Sequence, residues 1–390
     1  MTPLSIGHLM EFDRGLQQHE EKTEGEEEIL IYLAEQAAVR VAEIGRIIES
    51  MPEELLQSSE HMERLVRHYQ GCIDELNRII PKQIVDNNHS SLSSKENNRK
   101  HVQDLSDVVD RAARGKRLGF DMMCVSRGIR DVVRRQGGPD QYFGSTLQRE
   151  IDAIVHKFNT VRIGVRLLND MIKRAIDANN ASPFSAVGRG VLHQKLSLRD
   201  EIERAATFVE SVAIENLYVC PEIQIQTERE NDDQRDDVTN ISYVPAHVWY
   251  IVVEVLKNAV VAVVDRDRDE RENGARSPPG VLPPIDVRIR CTPDRTTVSV
   301  VDRGVGLGDN VENAMAYCFT TGTRPAGNDL SGAGIGLPMA FAYAEYFGGS
   351  LSLRPNDDDG EGCIVNIELC HDMDAPELQA VLSDASAESS

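Results

Sequence analysis

From residue 28 to 180 apolar side chains recur every three or four positions, the period of a helix with one face turned toward a core. In "EEILIYLAEQAAVRVAEIGRIIESM" Ile29, Leu33, Ala37, Val41, Ile44 and Ile48 keep that step, and Pro52 follows where a helix would end. A second stretch, "MERLVRHYQGCIDELNRII", carries Leu65, Val66, Tyr69, Ile73, Leu76 and Ile80 on one side. The polar run "QIVDNNHSSLSSKENNRK" reads as a loop. Two more helical stretches follow, "LSDVVDRAARGKRLGFDMMCVSRGIRDVVRR" and "STLQREIDAIVHKFNTVRIGVRLLNDMIKRAI". Four long amphipathic helices in succession predict an all-α four-helix bundle over residues 28–180, preceded by an N-terminal strap over 1–27.

At "DANNASPFSAVGRG" the pattern changes, and helix and strand signals mix over 181–370. Helices are predicted through "LRDEIERAATFVESVAIEN", "PAHVWYIVVEVLKNAVVAVVD" and "PMAFAYAEYF", and strands in "PEIQIQTE", "PIDVRIRC", "TTVSVVD", "GSLSLR" and "GCIVNIEL". Strands grouped in blocks with helices beside them predict an α/β sandwich of the α+β kind, not a regular βαβ repeat. Residues 371–390, ending in "SDASAESS", read as a disordered tail.

Charge narrows the choice of partners. A formal net charge of −22 excludes nucleic acid as the natural ligand, because its phosphates would be repelled. Seven cysteines, none in a C-x-x-C pair, read as reduced thiols of an intracellular compartment. No apolar stretch long enough to span a membrane is evident, and "MTPLSIGHLMEFDRG" has the pattern of neither a signal nor a transit peptide, so an address is either absent or removed.

Candidate chemistry lies in three separated segments. "SGAGIGLPMA" places Gly332, Gly334 and Gly336 at alternate positions before a helical run, a backbone suited to close approach by a phosphate. It is no P-loop, since no Lys-Ser or Lys-Thr follows a glycine, and loop-like "TTGTRPAGNDL" precedes it where a dinucleotide fingerprint needs a strand. The V-A-I-K, H-R-D and D-F-G set of ordinary protein kinases is missing. In "EVLKNAVVA", Glu254, Lys257 and Asn258 share one face of an otherwise apolar helix. A carboxylate and a carboxamide so placed can serve a proton-bearing nucleophile and a hydrated Mg²⁺; Lys257 reads equally as a structural ion pair or a ligand contact. In "VSVVDRGVGLG", Val298, Val300 and Asp302 share a strand face, with Gly304 and Gly306 following, and a carboxylate beside an apolar slot can accept a bond from the exocyclic amine of adenine. Trp249 reads as core, and His193 and His247 as local hydrogen-bonders.

The set E-x-x-K-N-A, D-x-G-x-G and G-x-G-x-G resembles the ATP-binding fold of gyrase, Hsp90-type chaperones, histidine kinases and MutL. Within that group the chain most resembles the mitochondrial pyruvate and branched-chain 2-oxoacid dehydrogenase kinases. "YVPAHVWYIVVEVLKNAVVAVV", "VRVAEIGRIIESMPEELLQSS", "VRIGVRLL" and "PLSIGHLMEF" carry the likeness across residues 3–370. The resemblance implies a mitochondrial matrix protein serine kinase, inhibiting the complex by phosphorylating its decarboxylase subunit, docking on lipoyl domains and forming a homodimer. It implies Glu254 as general base, Asn258 as the Mg²⁺ ligand and Asp302 as the reader of adenine, with Gly304 and Gly306 admitting the ligand. Thr320 and Thr321 would line the phosphate end, and Gly332, Ala333, Gly334, Ile335, Gly336 and Leu337 would hold ATP phosphates, with K⁺ as a further cofactor. The sequence departs from the family at Leu118, where a histidine would bond the glutamate, and at Val261, Met171-Ile172 and Cys363. An inactive nucleotide-binding scaffold and a histidine kinase are the alternatives.

Overall fold

The apolar spacing of the first half resolves into helices in the computed structural model of the protein, which describes residues 4–17, 24–86, 91–114, 119–180, 191–228, 239–274, 282–320, 333–356 and 362–374. The chain forms two compact units that divide between Leu192 and His193. The first holds α1 (Ile6–Gln17), α2 (Glu24–Glu49), the single turn α3 (Glu53–Leu56), α4 (Glu60–Asp86), α5 (Ser91–Arg114), α6 (Phe120–Arg135), the turn α7 (Pro139–Tyr142) and α8 (Thr146–Asn180). The four longest, α2, α4, α5 and α8, pack into the bundle, with α2 against the other three and α5 against α4 and α8. Leu33, Ala37, Val41, Ile44 and Ile48 of α2 are all buried, as their spacing predicts.

Three details differ from the sequence reading. On α4 the buried face runs through Met62, Leu65, Tyr69, Cys72 and Leu76, while Val66 and Ile80 face solvent. The polar run expected as a loop is helical at both ends, to Asp86 and from Ser91. The third helical stretch is two helices, because Gly119 takes a left-handed φ of 79° ahead of α6. Inside the bundle Asp121 of α6 accepts from Arg162 Nε of α8 at 2.8 Å and from the Tyr69 hydroxyl of α4 at 3.2 Å. This buried charge cluster ties three helices together, and removing one member would strand the others without water.

The second unit comprises β1 (His193–Ser197), α9 (Leu198–Leu217), β2 (Ile223–Glu228), β3 (Asn240–Tyr243), α10 (Pro245–Glu272), β4 (Ile285–Cys291), β5 (Arg295–Val301), α11 (Gly336–Glu345), β6 (Ser350–Pro355) and β7 (Cys363–Cys370). Five strands form one sheet in the order β2-β4-β5-β7-β6, parallel between β2 and β4 and antiparallel elsewhere; β1 and β3 pair separately. In the central strand Val298 lies opposite Ile289 on one side and Ile367 on the other, all three buried. The helices cover the sheet, α9 on β2, α10 on β5, and α11 on β6 and β7.

Helix α10 is the spine of this unit. Contrary to the sequence reading, it holds a window of mean hydropathy 1.6, long and apolar enough to cross a membrane, and among the described residues it alone does so. Most of that window, 61%, is buried inside the unit, with α9 and α11 on its flanks, so it is a core helix. His247 sits within it among Tyr243, Tyr343, Tyr346 and Phe347, and burial pushes its imidazole down to about 3, holding it neutral. Its Nδ1 makes no hydrogen bond, and the surrounding rings pack about the imidazole. Trp249 is only half-buried, against Phe208 and beneath the Arg204 guanidinium 5.5 Å from its ring centre.

Candidate functional site

Strand β5 ends at Val301, and the next side chain, Asp302, turns inward with Val298 and Val300 and is 3% exposed. Its Oδ1 accepts from the Gly304 amide at 2.9 Å and the Cys363 amide at 3.3 Å. Both of these bonds fall on Oδ1. Burial pushes this carboxyl up to about 6, and the two backbone amides pull it part of the way back. The backbone is held as firmly: Asp302 N–H donates to the Cys363 carbonyl at 3.0 Å, and Asn356 Nδ2 donates to the Asp302 carbonyl at 3.2 Å.

The turn after Asp302 abuts α10. A Cβ on Gly304 would lie 2.5 Å from backbone and side-chain atoms of Ala262, and the Val305 amide donates to the Ala262 carbonyl at 3.2 Å. Gly306, at φ 72°, lies beside Gly362. On α10, two turns before Ala262, Glu254 is bonded through Oε1 to Lys257 Nζ at 3.2 Å. Its Oε2 lies so near the first residue of α11 that a Cβ on Gly336 would come within 2.2 Å. Asn258 is exposed on the same helix.

The segments predicted separately therefore meet around α10: the D-x-G turn at Ala262, and the glycine run at Glu254. Ala333, Gly334, Ile335, Gly336 and Leu337 are half-buried at the start of α11. The Gly334 carbonyl accepts from the Cys318 amide at 2.7 Å, which brings exposed Thr320 close to the glycine run in the chain path. Thr321, Gly332 and Leu118 lie outside the described residues. Sequence reasoning missed Ala262, Asn356 and Gly362, which hold Asp302 and the turn that follows it. Of these Asn356 and Gly362, the two ends of the turn-rich "NDDDGEG", carried a signal, and it pointed to a loop and not to Asp302.

A buried carboxylate and a glycine-lined helix start suit an adenine nucleotide: the first can accept from a donor amine, the last presents N–H groups and a positive dipole end to phosphate. Residues 244–372 match the family model described as histidine kinase-, DNA gyrase B-, and HSP90-like ATPase. The match lies within the α/β unit, which has the fold that the model describes. The chain as a whole is similar to mitochondrial pyruvate dehydrogenase kinases. It is 24% identical to that of Drosophila melanogaster over 99% of this chain and 86% of the relative. It is 23% identical to isozyme 1 of Mus musculus over 94% of this chain and 77% of the relative, and 26% identical to the Arabidopsis thaliana kinase over 58% and 60%. Among solved structures, the catalytic domain of histidine kinase ThkA is matched over 46% of this chain and 97% of that one, at 15% identity and a TM-score of 0.32.

Proposed function

We propose that this chain is an ATP- and Mg²⁺-dependent protein serine kinase of the mitochondrial matrix that phosphorylates the decarboxylase subunit of a 2-oxoacid dehydrogenase complex. The pyruvate complex is favoured, because the curated relatives are named for it. The observation that carries the reading is the position of Glu254 Oε2 against Gly336, a proton-accepting oxygen beside the helix start suited to phosphate. In this reading Glu254 takes the proton of the substrate hydroxyl as its oxygen bonds the γ-phosphorus and ADP departs. Asp302 accepts from the adenine amine, and the amides at Gly334 to Leu337 face the phosphates. Asn258, exposed one turn beyond Glu254, would hold Mg²⁺ through its side-chain oxygen. Bound Mg²⁺ supplies neutralisation of the phosphate oxygens, with K⁺ as a second ion by the same family likeness. Docking on lipoyl domains and homodimerisation complete the proposal.

The test is transfer of label from γ-labelled ATP to a purified pyruvate dehydrogenase complex, with Glu254→Gln alongside. Acid-stable label on the decarboxylase subunit, reduced at least about 100-fold in the variant, is the expected result. Nucleotide binding without any transfer would make the chain a scaffold, and acid-labile label on the chain itself would make it a histidine kinase.

A further inference from the structure

We infer that Lys257 is a positioning residue for the Glu254 carboxylate, and that it assigns the two oxygens different tasks: Oε1 is the anchored one and Oε2 the one that meets substrate. The inference rests on the reading of Glu254 as proton acceptor. Lys257 and Glu254 stand one helical turn apart on α10, and their ion pair of 3.2 Å has side chains only 13% and 18% exposed. A pair so sheltered is screened less than a surface pair and holds its geometry more firmly. The opposite oxygen lies against the α11 start, where a side chain on Gly336 would collide with it.

The carboxylate is thus bracketed between an ammonium group and the first residue of α11. An unanchored glutamate would offer either oxygen and sample several rotamers, and the proton transfer would wait on the productive one. With Oε1 engaged, Oε2 is aimed at the α11 start before substrate arrives. Lys257 Nζ keeps further N–H donors beyond the one spent on Glu254, so a phosphate contact is the competing role that the test must separate. The neighbour Asn258 is exposed on the same helix and is the residue proposed above for the ion. Two adjacent residues then divide the work, one orienting the base and the other facing the ligand.

The test compares Lys257→Met, Lys257→Gln and Lys257→Arg with the parent chain and with Glu254→Gln, using full-length protein and the dehydrogenase complex. Phosphotransfer kcat and KM for ATP are read by label transfer, and affinity for a non-hydrolysable ATP analogue by calorimetry. The Met and Gln variants are expected to lose kcat about 10- to 100-fold while KM and analogue affinity stay within about 3-fold, with Arg recovering most of the rate. Adding Lys257→Met to Glu254→Gln should cost nothing further, because the lysine acts only through the glutamate. Analogue affinity falling in step with kcat would overturn the inference in favour of a phosphate contact, and an unchanged kcat would overturn it outright. A parent chain that transfers no label would instead overturn the kinase reading on which the inference rests.

Discussion

Asp302 brings two opposing effects to one side chain. Removal from water favours its protonated form, while the Gly304 and Cys363 amides favour the carboxylate, and burial wins by enough to set the group near 6. Because the bound adenine amine needs an acceptor, the ionised form is the binding one. At pH 7 the free protein holds Asp302 mostly ionised; below about 6 it must lose a proton before nucleotide can bind. Affinity for ADP should therefore be flat above pH 7 and fall about tenfold per pH unit below 6. Calorimetry between pH 5 and 8 reads this, with adenosine as a second ligand because its base and no phosphate titration enters. Asp302→Asn places an amide donor against the adenine donor, and should weaken binding by about 2–4 kcal/mol and abolish the pH dependence.

Two glycines face the same helix, α10, and their replacement should have opposite consequences. At Gly304 the colliding atoms include the Ala262 carbonyl carbon and oxygen, part of a packed helix that cannot yield. At Gly336 the colliding atom is Glu254 Oε2, the far end of a flexible side chain. Gly304→Ala should thus lower stability by about 2–3 kcal/mol and loosen the Asp302 turn, whereas Gly336→Ala should cost under about 1 kcal/mol yet reduce phosphotransfer about 10- to 100-fold by swinging the carboxylate aside. Denaturant melts and label transfer on both variants separate the cases. Neither contact could be read from sequence, where both positions are simply glycines in loops. The helices and five main strands were legible, because burial on one face imposes its period directly, as in α2 and β5. Where the reading failed, the signal was local and the deciding fact was not. The last turn of α4 follows Pro81, a residue that ordinarily breaks a helix, and the start of α5, "SLSSKENNRK", has a single apolar position in ten. Gly119 breaks a pattern that glycine alone need not break, and β1 and β3, of 5 and 4 residues, are too short to show alternation.

Across the whole chain, the core of the helical unit and that of the α/β unit are built by different residues, and every polar group assigned here to nucleotide belongs to the second. Leu33, Val41 and Phe158 are buried in the helical unit, and Val298, Leu256 and Ala340 in the α/β unit. A ligand that binds only the native α/β unit stabilises that unit by mass action, by about 2.7 kcal/mol at a hundredfold excess over its Kd. If each unit unfolds as its own cooperative block, scanning calorimetry of the full chain should resolve two transitions, and Mg²⁺ with ADP should raise one and leave the other in place. The transition that moves is expected to be the one lowered by Gly304→Ala, and a bundle substitution such as Phe158→Ala should lower the other. A single transition that rises as a whole would show instead that the bundle senses the nucleotide, making binding energy at Asp302 available to reshape the α-helical half.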